Sequence, residues 1–176
     1  EAFSVESVTK EFFAEYVRLF KETEESLAAL VKRDKTLRDD FEVKGVCTVD
    51  FAKKLLGQIV FLYFIQKKGW LGVGRDGKWG DGSRNFLRKL ADKAVLDKTC
   101  LFNDILEPLF YDTLATDRGP EAWCSTFQCR IPFLNGGLFE PLAGYNWKKT
   151  DIVLPNTLFT NKQRSPAGDD GTGILD

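Results

Sequence analysis

Residues 51–71, FAKKLLGQIVFLYFIQKKGWL, constrain this chain more than any other stretch. In the first half Phe51, Leu55, Leu56 and Ile59 recur at helical spacing, with Lys53, Lys54 and Gln58 between them. From Ile59 to Ile65 the polar face disappears. A helix that loses its polar face is expected to be surrounded by protein over that half. A membrane span needs about 20 apolar residues, and Lys53-Lys54 and Lys67-Lys68 bracket this run well short of that. The expectation is a central helix with the rest of the 176 residues packed around it.

The composition fits that picture. Hydrophobic residues make up 43% of the chain and 15 are Phe, enough for a packed core and too much for disorder. A net charge of −1 gives no global field toward nucleic acid or membrane, so a DNA-binding role must rest on a local patch. No His is present, which removes the commonest general base and metal ligand. The chain has no Met, so Glu1 is not expected to be a natural start. No signal peptide is visible, and a cytoplasmic protein is expected. The four cysteines, Cys47, Cys100, Cys124 and Cys129, lack Cys-x-x-Cys spacing and read as buried reduced thiols rather than zinc ligands.

Periodicity predicts a first helix over residues 9–33 with Thr9 as N-cap and Phe13, Tyr16, Val17, Phe20, Leu27 and Val31 on one face. The charged run that follows reads as a connection with a short extended piece at 41–46. The central helix starts near Thr48 and stops at Gly69, a natural C′ residue. Residues 72–82, with five glycines, form a surface loop. Ser83 caps a third helix through about Val95, and a fourth covers about 101–115, which Pro108 kinks or splits. From Pro120 the sequence loses its period, and short strands and turns are expected, including Asp151–Leu154. The fold class is therefore mainly α: four to five helices around one buried central helix, with a short irregular β-containing C-terminal segment. Residues 1–119 form the helical bundle and 120–176 the irregular segment packing on it.

The chemistry-bearing motifs are weak. Gly72-Val73-Gly74-Arg75-Asp76-Gly77 matches a dinucleotide fingerprint by letter, but a helix precedes it where a strand is required. Glu42-Val43-Lys44 resembles half of a metal-dependent nuclease site, yet helices flank it and no second carboxylate is in place. Arg75, Lys78, Arg84 and Arg88 gather around the glycine loop, as a patch contacting the DNA backbone would. An ordinary solvated face has the same pattern. Asn135, Gly136 and Gly137 sit between bulky apolar pairs and read as a structural turn, stapled by Phe133, Leu134, Leu138 and Phe139.

Four segments taken in order, FLYFIQKKGWLGV, PLFYDTL, IPFLNGGLFEP and DIVLPNTLF, carry a more specific signal. This series resembles the connector region preceding the methyltransferase domain of type IIG restriction–modification enzymes and related adenine-specific DNA methyltransferases. Residues 7–20, SVTKEFFAEYVRLF, are similar to the helix that opens that region. The resemblance implies a parent protein that methylates adenine N6 in DNA, is linked to an endonuclease, and uses S-adenosylmethionine and Mg2+. The irregular segment would lead toward the methyltransferase domain. No Asn-Pro-Pro-Tyr motif is present, so no catalytic, cofactor-binding or metal-binding residue is carried onto this sequence. The implied partners are DNA, through the parent protein, and flanking nuclease and methyltransferase domains, with no membrane. The alternative is a protein–protein interaction module without a nucleic-acid role.

Overall fold

A computed structural model describes residues 5–134, 136–162 and 171–176, with side chains from Lys10 onward. Its architecture is mainly helical, as the periodicity predicts. Helix α1 spans Val5–Arg33, α2 Lys35–Lys44, α3 Thr48–Lys67 and α4 Phe86–Asp97. Helix α5 consists of two π-helical pieces, Leu101–Leu106 and Pro108–Leu114, that meet at Glu107. Two short strands, β1 (Trp123–Cys124) and β2 (Cys129–Arg130), pair antiparallel. Single 3-10 turns at Gly137–Phe139, Leu142–Gly144 and Asn156–Leu158 punctuate the rest. Among the described residues, no helix is long and apolar enough to cross a membrane.

Helix α3 is the axis. Phe51, Leu55, Ile59 and Leu62 are each at most 3% exposed, and the helix packs against α1 and α4. Its end follows the glycine rule. Gly69 (φ +72°) donates to Gln66 O at 2.8 Å and Trp70 N to Ile65 O at 3.2 Å, the Schellman pattern. The C-terminal half is not surrounded, however. Phe64 is 67% exposed, and with Phe61 and Val60 it forms an open apolar face.

Four local expectations are corrected. Residues 35–44 are helical rather than a connection with an extended piece. Asp34 caps them through Leu37 N (3.1 Å), Gly45 ends them at φ +67°, and Leu37 and Phe41, one turn apart, are the anchors that the surrounding charge obscured. Helix α1 starts at Val5, upstream of Thr9, and Phe13 lies exposed rather than inward. The cap position of α4 is Asn85, not Ser83; its first turn is completed from outside, Leu87 N donating to the buried Gln66 Oε1 (3.1 Å). Pro108 neither kinks nor splits its helix in the expected way. The chain widens, with Glu107 N bonding Phe102 O and Ala115 N bonding Phe110 O, both five residues back. A wider turn relieves the clash a proline makes with the carbonyl four residues earlier.

Residues 151–155 form no strand. Ile152 and Leu154 are buried and Val153 is exposed, so the chain alternates like a strand. In place of a ladder, Ile152 N donates to Asn103 Oδ1 (3.0 Å), Leu154 N to Ile152 O (2.9 Å), and Cys100 Sγ contacts Leu154 O (3.4 Å). The irregular segment contributes Ile131, Phe139, Tyr145, Ile152 and Phe159 to the same core as the helices.

Inside that core lies a polar network. The Tyr145 hydroxyl donates to Glu107 Oε1 at 2.5 Å and stands 3.0 Å from the Tyr111 hydroxyl. Glu107 is fully buried and its Oε2 has no partner among the described residues. Burial, reinforced by the nearby Asp151 and Asp104, pushes its carboxyl up to about 8 despite the Tyr145 hydrogen bond. A neutral acid at pH 7 is the consequence, and burial raises the Tyr145 and Tyr111 phenols as well.

Candidate nucleic-acid interface

The loop after α3 is built by backbone contacts that tolerate no side chain. Gly80 N and Gly82 N both donate to Gly69 O (3.1 and 2.8 Å), and Ser83 N donates to Leu71 O (2.9 Å). A Cβ on Gly69 would lie 2.1 Å from Gly80 O, and one on Gly82 would lie 2.3 Å from Leu71 O. The loop thus folds back on the helix end as a fixed turn. Val73 joins it to the hairpin, exchanging both backbone bonds with Arg130 (2.7 and 3.2 Å).

The four cations expected to contact DNA have different surroundings. The Arg84 guanidinium turns to Lys67 O and to Gly80 O (3.2 Å), capping the carbonyl end of α3. Arg88 pairs with Asp92 (3.1 Å) and Asp176 (2.6 Å), and these bonds raise its pKa further above an already high value. Arg75 is exposed, its guanidinium 4.0 Å from the centre of the Trp123 ring. Lys78 is exposed, and its backbone pairs with Asp81, the N–H donating to Asp81 Oδ2 (2.9 Å) and the carbonyl accepting from Asp81 N (3.0 Å). So Arg84 and Arg88 have intramolecular roles, whereas Arg75 and Lys78 face solvent on the loop.

Sequence reasoning missed Arg130, the third cation of this face. Its guanidinium lies 4.6 Å from the Trp79 ring centre and donates to Gly77 O (2.8 Å) and Glu121 O (2.9 Å). Because Trp123 and Arg130 are cross-strand partners, Arg75, Trp123, Arg130 and Trp79 form an interleaved series of guanidinium and indole groups. The only signal in the sequence was the alternation of Trp and Arg on both sides of the hairpin. Asp76 and Asp81 are exposed beside it, so the face is amphoteric rather than strongly basic.

Asn135 lies outside the described residues. Gly136 takes φ +132°, and Gly137 opens a 3-10 turn. The turn presents carbonyls, not amides, to the central helix: Lys54 Nζ donates to Gly137 O (2.8 Å) and Gln58 Nε2 to Leu138 O (2.7 Å). Of the four expected staple residues only Phe139 is fully buried, between the Phe61 and Phe110 rings. Glu42 and Lys44 are exposed at the end of α2, on a helix rather than on the strand a nuclease site needs.

A second surface feature is apolar. A groove of about 470 Å³ runs between α1 and α3, walled by Phe12, Tyr16, Leu19, Leu56, Val60 and Phe64. Comparison with protein-family models, with characterised proteins and with solved structures gives no match for this chain.

Proposed function

We propose that this chain is a non-catalytic helical connector of a DNA restriction–modification enzyme. It would hold an adenine-N6 methyltransferase domain and a linked endonuclease in register and touch the DNA backbone through Arg75 and Lys78. S-adenosylmethionine and Mg2+ would serve the other domains of that enzyme, and DNA would be its partner. Base flipping and cutting at a set distance both require domains held rigidly relative to one another.

The observation that carries this reading is how the four resembling segments meet. They are far apart in sequence, yet all four contribute side chains to one core. Phe61 of the first packs on Phe139 of the third, ring centres 6.0 Å apart. Phe110 of the second packs on Phe139 of the third, ring centres 5.6 Å apart. Asn156 of the fourth accepts from Leu101 N (2.8 Å), at the start of the helix carrying the second. Residues with that arrangement make a framework, which is what a connector is. Two of their polar side chains hold backbone amides elsewhere in the chain, Gln66 that of Leu87 (3.1 Å) and Asn156 that of Leu101 (2.8 Å).

Binding to duplex DNA across a salt series tests the contact. Phosphate contacts make log affinity fall linearly with log salt, and Arg75→Ala with Lys78→Ala is expected to reduce that slope by about 2 while weakening all sequences alike. Salt-insensitive binding, or none, would remove the DNA contact and leave the connector role. The parental reading frame beyond Asp176 tests that role: the absence of an S-adenosylmethionine-binding strand–turn–helix followed by Asn-Pro-Pro-Tyr would end it. The α1–α3 groove favours one other reading, a protein-interaction module without a nucleic-acid role.

A further inference from the structure

The hairpin brings together two side chains that the connector reading leaves without a role. Cys124 and Cys129 are direct cross-strand partners in β1–β2. Both are free thiols, buried on the inner face, while Trp123 and Arg130 occupy the outer one. Direct partners in an antiparallel pair have Cα atoms about 4.5–5.5 Å apart with side chains on the same face. That separation falls inside the window a disulfide requires, about 4.4–6.8 Å. The connecting residues 125–128 form a tight loop with Gln128 at φ +50°, so the two cysteines are held close by the fold.

The surroundings are those of an oxidisable pair. Cys124 Sγ lies 3.5 Å from Thr113 Oγ1. Arg118 lies close enough to influence both sulfurs. It is fixed by Thr113 O, Thr116 O and Ile131 O, and its buried Nε has no partner among the described residues. A cation beside two thiols favours the thiolate that attacks a disulfide. Opposing this, burial and the neighbouring Cys124 push the Cys129 thiol up to about 11, so exchange is slow at neutral pH.

We propose that Cys124 and Cys129 are a redox modification site, closing to a cross-strand disulfide by exchange with a low-molecular-weight disulfide. A thiolate of the pair attacks one sulfur of the reagent, forming a mixed disulfide and releasing one thiolate. The second cysteine, deprotonated, then attacks the protein-side sulfur of that mixed disulfide and expels the second thiol. Two protein thiols are oxidised to one disulfide, and one disulfide reagent is reduced to two thiols. The closed hairpin would lock the strand that holds Val73 and, through Arg130, Trp79.

The test uses the native chain and oxidised glutathione at pH about 9, where the thiolate fraction is larger. After acid quenching, the protein is denatured, alkylated with N-ethylmaleimide and digested with trypsin. The peptide covering residues 119–130 carries both cysteines; Cys47 and Cys100 fall on others. It is expected to lose the mass of two hydrogens, to take up neither maleimide nor glutathione, and to regain two alkylation sites after reduction. Cys124→Ser should abolish that mass loss, and Cys47→Ala with Cys100→Ala should preserve it. Full alkylation of both cysteines in the wild-type peptide, glutathione retained on it, or a disulfide formed only in denaturant would each overturn the proposal. The wild-type result decides even where a variant fails to fold.

Discussion

The helical body and the irregular segment after Pro120 share one core but are held by different means. In the helices the backbone satisfies itself, and apolar stripes do the rest. The irregular segment has almost no ladder of its own. Many of its backbone groups are met by helix side chains: Lys54 on Gly137, Gln58 on Leu138, Asp40 on Asn146, Asn103 on Ile152 and Tyr63 on Leu175, with Arg118 of the following loop on Ile131. The buried Gln58 on α3 is thus explained from outside its helix. A buried donor or acceptor left unmade costs about 1–3 kcal/mol, so the part-buried bonds, that of Gln58 foremost, are points at which the segment can be released.

The largest break in that division should come from the core both regions share. Phe51→Ala is expected to cost about 3–5 kcal/mol and to unfold helices and segment together in one denaturant transition. A separate loss of the segment would show that the core is not shared.

Titration of Glu107 comes next. Its carboxyl has an ordinary value of 4.5 and is raised to about 8 in the folded state. Between those values the folded chain keeps a proton that the unfolded chain gives up, so stability is full below pH about 4.5 and falls as pH rises to about 8. A shift of that size corresponds to at most about 5 kcal/mol. Glu107→Gln should flatten this slope and be more stable than wild type at pH 8, measured by urea unfolding across pH. An unchanged slope would place the proton elsewhere.

Tyr145→Phe removes the hydroxyl that donates to Glu107 Oε1 and should cost about 1–3 kcal/mol at pH 7, read from the same unfolding curves. The smallest effect is expected at Asp92→Ala. Its pair with Arg88 (3.1 Å) lies at the surface, and a loss below about 1 kcal/mol is expected, reduced further by salt.

The same division explains what the sequence disclosed. Helix α3, α4 and the C′ role of Gly69 were legible because spacing and caps are local signals. Helix α2 was hidden because Leu37 and Phe41 are two anchors in a charged run. The Asp151–Leu154 stretch has a strand's alternation, but its partners are Asn103 and Cys100, and no local pattern announces a side chain 49 residues away. The candidate site was partly legible. Basic residues mark a patch by letter, yet whether a guanidinium faces solvent depends on contacts such as Arg84 to Lys67 O. The cysteine pair could have been found from Cys-x-x-x-x-Cys spacing across a hairpin, had the strands been placed.

Amide hydrogen exchange on Gln58→Leu tests most directly whether α3 side chains hold the irregular segment. The substitution removes the bond to Leu138 O while keeping an apolar side chain on the helix. Protection of amides in 136–145 should fall by about tenfold or more, as the loss of about 1.4 kcal/mol requires, while α3 and α4 stay as slow as in wild type. Uniform loss across all helices, or unchanged protection of the segment, would contradict the account.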